Sequence, residues 1–188
     1  HGFGMKPGLN GDLAQWPDIL EYFLKNGPKP GVGPFNTVLP WFLPNVSGRL
    51  AAFKKDAQTD QGAVVFLGDS ITAKWKMEDA FQELKVANRG ISGDTTRGML
   101  CRLQENVLDL HPKAIVYMGG INDFSNQPRG TAQTIGENVR LMLEQIRTRD
   151  PGVPVLVCEI LPAGFVPLET VRGANAAVDK VIEGFPNG

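Results

Sequence analysis

Val64-Val65-Phe66-Leu67-Gly68-Asp69-Ser70 is a short apolar run that stops abruptly at a glycine, an acid and a serine. A run of this length bounded by turn residues reads as a buried strand. The serine then falls just past the carboxyl end of that strand, where open α/β sheets collect their ligands. Working outward, strand and helix patterns alternate. Ala63–Leu67 is followed by a short helical stretch over Ile71–Trp75. A strand over Leu84–Asn88 leads into a glycine-rich turn and a helix from Thr95 to Val107. A third strand, Ala114–Met118, ends in Gly119-Gly120.

Thr131–Thr148 has the clearest helical pattern, with Ile135, Val139, Met142, Leu143 and Ile146 on one face. Thr134 and Glu137 have the spacing of a capping box, and Pro151-Gly152 follow the end of the helix. A strand over Pro154–Ile160 and a helix over Glu169–Glu183 complete the series. This alternation predicts an α/β fold, a three-layer α/β/α sandwich around a parallel sheet.

Residues 1–46 differ from the rest. Pro7, Pro17, Pro28, Pro30, Pro34, Pro40 and Pro44 mark an extended arm, with one short helix near Trp16–Lys25. The aromatics Trp16, Tyr22, Phe23, Phe35, Trp41 and Phe42 are expected to dock on the main domain. Ser47–Asp60 reads as a helix with Leu50 and Phe53 inward. The expected division is an arm with helices over 1–62 and the main domain over 63–188.

Bulk properties narrow the classes of function. Across 188 residues, 42% are hydrophobic and 21% charged, as in a globular domain. Nineteen basic against twenty acidic residues give a net charge of −1, so no nucleic-acid partner is expected. No apolar run has the length of a membrane span. The first residue is His1 rather than Met, consistent with processing or trimming, and a secreted or periplasmic location is the expectation. Cys101 and Cys158 form neither a disulfide framework nor a metal motif. No acidic or His/Cys cluster has metal-ligand spacing, and no phosphate-binding glycine loop is present, so no cofactor is expected.

Three strand ends carry unusual residues: Gly68-Asp69-Ser70, then Asn88-Arg89-Gly90-Ile91-Ser92-Gly93-Asp94, then Gly119-Gly120-Ile121-Asn122-Asp123. In a doubly wound sheet these ends line one crevice. Acyl-ester hydrolysis needs a nucleophile there and donors for a developing oxyanion. A glycine N–H in a tight turn and an asparagine amide both suit that task. Ser70, Gly93 and Asn122 therefore belong together chemically, with the Ser70 N–H as a third donor at the start of a helix.

These motifs resemble the SGNH, or GDSL-type, hydrolase superfamily over residues 63–183, about two thirds of the chain. The stretch Gly90-Ile91-Ser92-Gly93-Asp94-Thr95-Thr96-Arg97, and His111-Pro112-Lys113 before the third strand, are most similar to its platelet-activating-factor acetylhydrolase branch. The resemblance implies a flavodoxin-like fold and a serine esterase for short, acetyl-type acyl groups. It makes Ser70 the nucleophile and Gly93 and Asn122 the oxyanion donors. The substrate would be a small-molecule or carbohydrate ester. An α/β-hydrolase elbow is excluded, because Ser70 is followed by Ile71-Thr72 rather than x-Gly.

The family takes its base from an Asp-x-x-His block near the C-terminus, and no such pair occurs in this sequence. His111 is expected at the opposite edge of the sheet from Ser70, and His1 at a mobile terminus. The fold is thus expected to lack its last strand and helix, which makes the chain a fragment of a complete esterase. The alternative is an inactive SGNH-like module that binds carbohydrate or a protein partner. An Asp-x-x-His encoded just beyond Gly188 would discriminate. A missing strand would also bare an apolar edge at Val155, Leu156, Val157 and Ile160. Such an edge predicts either a homo-oligomer or an arm folded across it.

Smaller roles follow from position. Asp69 is expected to bond loop amides, Asp94 and Thr95 to cap the next helix, and Asp123 to fix its own loop. Arg97 is expected to pair with an acid or brace the crevice.

Overall fold

The computed structural model describes residues 42–125 and 129–185. The arm as far as residue 41, its expected helix near Trp16–Lys25 and His1 lie outside the described residues, whereas residues 42–46, expected as extended arm, already belong to a helix that begins five residues before the expected Ser47 and ends at Asp56 rather than Asp60. Helix α1 (Phe42–Asp56) leads to strand β1 (Val64–Gly68) and two short helices, α2 (Ser70–Lys74) and α3 (Met77–Ala80). Then come β2 (Val86–Gly90), α4 (Thr96–Cys101), α5 (Leu103–Asn106), β3 (Ala114–Met118), α6 (Ala132–Arg149), β4 (Val155–Val157) and α7 (Leu168–Glu183). Single 3₁₀ turns at Leu108–Leu110 and Ile121–Ser125 flank β3.

The four strands lie in the order β2-β1-β3-β4, all parallel. One face carries Val65, Leu67, Ala87, Ile115, Tyr117 and Val155, which pack under Leu100, Leu103, Ile135, Val139 and Met142 of α4, α5 and α6. Helix α7 lies against α6. On the other face Phe66 meets Trp75 and Phe81, with ring centroids 5.6 and 5.2 Å away, so α2 and α3 cover β1 and β2. This is the expected α/β/α arrangement.

Several boundaries differ from the sequence expectation. Strand β2 begins two residues later than Leu84 and runs on through Asn88-Arg89-Gly90. Those polar residues fit a strand because they find partners. Asn88 Nδ2 donates to Thr72 O at 2.7 Å, and Arg89 pairs with Asp60 at 2.7 Å. The helix expected over Thr95–Val107 breaks at Arg102, whose φ of −102° and ψ of 6° separate α4 from α5. Strand β4 is shorter than Pro154–Ile160, since Asn175 replaces the ladder there: it accepts from Ile160 N at 2.8 Å and donates to Ile160 O at 3.1 Å. The capping box of α6 is formed by Thr131 and Thr134 rather than by Thr134 and Glu137. Glu137 instead pairs with Arg140 at 2.6 Å. Neither cysteine forms a disulfide.

Candidate active site

Strands β1, β2 and β3 end in register, with Gly68 opposite both Gly90 and Met118. The three loops that leave these ends therefore start side by side. A Cβ on Gly68 would strike Thr72 Oγ1 and lie 2.7 Å from Met118 O. A Cβ on Gly90 would strike Ala73 N and lie 2.7 Å from Ala73 Cα. The two glycines thus let α2 fold back across the strand ends, and this sets the turn that holds Ser70.

Ser70 is the first residue of α2 and is half-buried. Asp69 caps the helix, its Oδ1 accepting from Ile71 N at 3.0 Å. That is the loop-bonding role expected of it. Burial pushes the Asp69 carboxyl above its ordinary range, opposed by the Ile71 N–H. Ser70 N, ahead of the first helical bond, and Ser70 Oγ make no hydrogen bond among the described residues. An open cleft of about 590 Å³ lies beside Ser70, lined by Ile71, Lys74, Trp75 and Met118. Trp75 is fixed there by Phe66 and by Phe81, the latter 5.5 Å away between ring centroids.

Gly93 follows β2 in a tight turn at φ 82°, a conformation that favours glycine. Asn45 of α1 steadies this turn through a 3.1 Å bond to Ser92 O, and Arg49 does so through a 3.0 Å bond to Gly90 O. The Gly93 N–H makes no hydrogen bond among the described residues. Thr95 caps α4 by accepting from Gly98 N at 3.2 Å. Asp94 does not share that cap. It is fully buried, accepts from Thr95 N at 2.9 Å and pairs with Arg102 at 2.8 Å. Burial still pushes its carboxyl up to about 6.

Asn122 stands in the 3₁₀ turn after β3. Its Nδ2 donates to Asp94 O at 2.9 Å and lies 3.4 Å from Asp69 Oδ2. One amide therefore ties together the residue before Ser70 and the residue after Gly93. The contact to Asp69 is the longer and weaker of the two. Asp123 holds the loop in place, accepting from Thr96 N at 2.9 Å and Thr96 Oγ1 at 2.6 Å. Asn138 of α6 supports Thr96 Oγ1 at 2.8 Å. Asp123 thus fixes its loop on α4, a firmer anchor than sequence position alone suggested.

These positions follow one motif order and leave one end of the sheet. Residues 66–186 match the model of the GDSL-like lipase/acylhydrolase family. The chain belongs to this family. Among relatives of the GDSL-like chain, human platelet-activating factor acetylhydrolase IB subunit alpha2 is 32% identical over 136 residues, covering 70% of this chain and 57% of that protein. The chain thus spans little more than half the length of the curated relatives it matches. A GDSL-like lipase from Bacteroides thetaiotaomicron superposes with a TM-score of 0.59 at 26% identity, covering 71% of this chain and 74% of the other. A lipase/acylhydrolase from Enterococcus faecalis superposes at 0.56 and 26%, covering 66% and 73%.

Other candidates fall away from this centre. His111 is exposed, in a left-handed turn three residues before β3. It stands at the opposite end of the sheet from Ser70. Cys101 is a core thiol pushed up to about 12, mainly by burial, and so stays protonated. Arg97 forms no ion pair among the described residues, although Asp123 acts on its charge. Glu159 is exposed beyond β4. Among the described residues no group of three or more His, Cys, Asp or Glu is placed to hold a metal ion. Sequence reasoning missed Arg102 and Trp75. The available signal for Arg102 was an arginine inside the apolar stretch Met99-Leu100-Cys101-Arg102-Leu103.

Proposed function

We propose that this protein is a serine esterase acting on short acyl groups, acetyl in particular. Ser70 Oγ attacks the ester carbonyl, and the N–H groups of Gly93 and Ser70 with Asn122 Nδ2 receive the oxyanion. The alcohol leaves, and water then releases the acid from the acyl-serine. The observation that carries this reading is the Asn122 amide bonded at Asp94 O and set against Asp69. It supports grouping Ser70 with these donors, because it links the residue before Ser70 to the residue after Gly93. The names of the acetylhydrolase relatives support the acetyl preference. The cleft walls Ile71, Trp75 and Met118 suit an apolar acyl group. Sugar acetates, phospholipid acetyl esters and aryl acetates all present the carbonyl this site would hold.

The serine proton needs a base, and His111, the one histidine among the described residues, is at the wrong end of the sheet. The base therefore comes from outside the described residues. In the complete protein, Ser70→Ala should abolish p-nitrophenyl acetate turnover, and undiminished turnover would reject the assignment. Asn122→Ala should lower kcat by about a hundredfold or more if its amide holds the oxyanion. A change confined to KM would remove Asn122 from that role.

A further inference from the structure

Arg102 is fully buried at the break between α4 and α5. Its Nε donates to Asp94 Oδ2 at 2.8 Å and its Nη2 to Gly68 O at 3.3 Å. Its Nη1 has no hydrogen-bond partner among the described residues. The Phe53 ring lies 5.8 Å from its guanidinium carbon, and the same ring has Arg49 at 4.7 Å and Arg89 at 4.8 Å.

Stability alone is a poor reason for this arrangement. A buried ion pair is often no more stabilising than apolar side chains of the same volume. Two further cations crowd the same ring, and Nη1 is desolvated without a partner among the described residues. What Arg102 does gain is reach. Gly68 opens the turn to Ser70, and Asp94 directly follows Gly93. The Asp94 carbonyl, in turn, accepts from Asn122 Nδ2 at 2.9 Å. One guanidinium is bonded directly to two of the three strand-end loops and to the third through Asp94.

We propose that Arg102 is a positioning residue for the oxyanion donors: through Asp94 and Gly68 it fixes the Gly93 N–H and the Asn122 amide relative to Ser70. This rests on the esterase reading above. Arg102 touches no substrate. It acts because misplacing a donor by a fraction of an ångström weakens the bond to the transition state more than binding of the ester.

The test compares Arg102→Met, Arg102→Lys and Asp94→Asn with the parent protein. The probes are p-nitrophenyl acetate turnover and end-point titration of Ser70 with a fluorophosphonate. Turnover per titrated site should fall about tenfold to a hundredfold in R102M and D94N. KM should stay within about twofold, and R102K should recover part of kcat. Arg172→Ala, which removes an exposed pair with Glu169, is the control and should change nothing. If R102M does not fold, R102K and D94N decide the matter. Unchanged turnover per titrated site, with only a lowered melting temperature, would reduce Arg102 to a structural role and overturn the proposal. Failure of the parent protein to label at Ser70 would overturn the esterase reading itself, and this inference with it.

Discussion

A methyl group at position 68 would meet Thr72 Cβ at 2.8 Å and Met118 O at 2.7 Å, and the backbone oxygen has nowhere to go. Gly68→Ala should therefore destabilise the protein by about 2 kcal/mol or more, read as a fall in the urea midpoint. A neutral result would mean that α2 is free to lift off the strand end. The acids around the site predict a pH dependence. Asp123 is pushed up to about 6, with burial the largest cause, opposed by the Thr96 bonds and by Arg97. An unfolded aspartate titrates near ~3.9, so the fold binds this proton more tightly than the unfolded chain does. Its contribution to stability is full below about pH 4 and is lost as pH rises through about 6. The stability of the parent relative to Asp123→Asn should thus grow as pH falls from 7 to 4. A constant difference across that range would contradict the placement of Asp123. At this scale the positions of Ser70, Gly93 and Asn122 were legible, because each follows a strand and a strand end points to one crevice. Arg102 was not legible: its partners Asp94 and Gly68 become neighbours only once the loops are stacked.

Helix α6 shows what an element takes from its ends. Thr131 Oγ1 accepts from Thr134 N at 3.2 Å while Thr134 Oγ1 accepts from Thr131 N at 2.8 Å. Thr131→Ala removes one half of that exchange and should cost about 1 kcal/mol, measurable by urea denaturation. The sequence placed the helix correctly, yet named Glu137 as its capping partner. Threonine is not the usual residue three positions after a cap, so the pattern favoured the glutamate. The apolar stripe was plain because it is a local repeat. The faces that meet were not plain. Gly136 lets α6 approach α7, where a Cβ would lie 3.3 Å from Ala177 O. The ends of β2 and β4 were misplaced for the same reason. Asn88, Arg89 and Asn175 act through partners far along the chain, and polarity alone made Arg89-Gly90 read as a turn.

For the molecule as a whole, alternation of strand and helix was enough to give a parallel α/β fold, since each crossover helix must cover the sheet it spans. The strand order is a different kind of information. Strand β1 lies between β2 and β3, with Val64 aligned to both Val86 and Ala114. That central place has a consequence in time. Parallel pairing forms only after the intervening chain has been closed into a loop, and shorter loops close at lower entropic cost. The β1–β2 closure is the shorter of the two, so it should lead, with β3 joining afterwards. Trp75 is a natural clock for the first event, because its ring seats on Phe66 of β1 and on Phe81 just before β2. With Trp16 and Trp41 changed to Phe, refolding followed by Trp75 fluorescence should run ahead of the helical signal contributed by α6 and α7. Coincident traces would instead indicate a single concerted step. On this order, the bend that carries Ser70 is set before most of its surroundings exist.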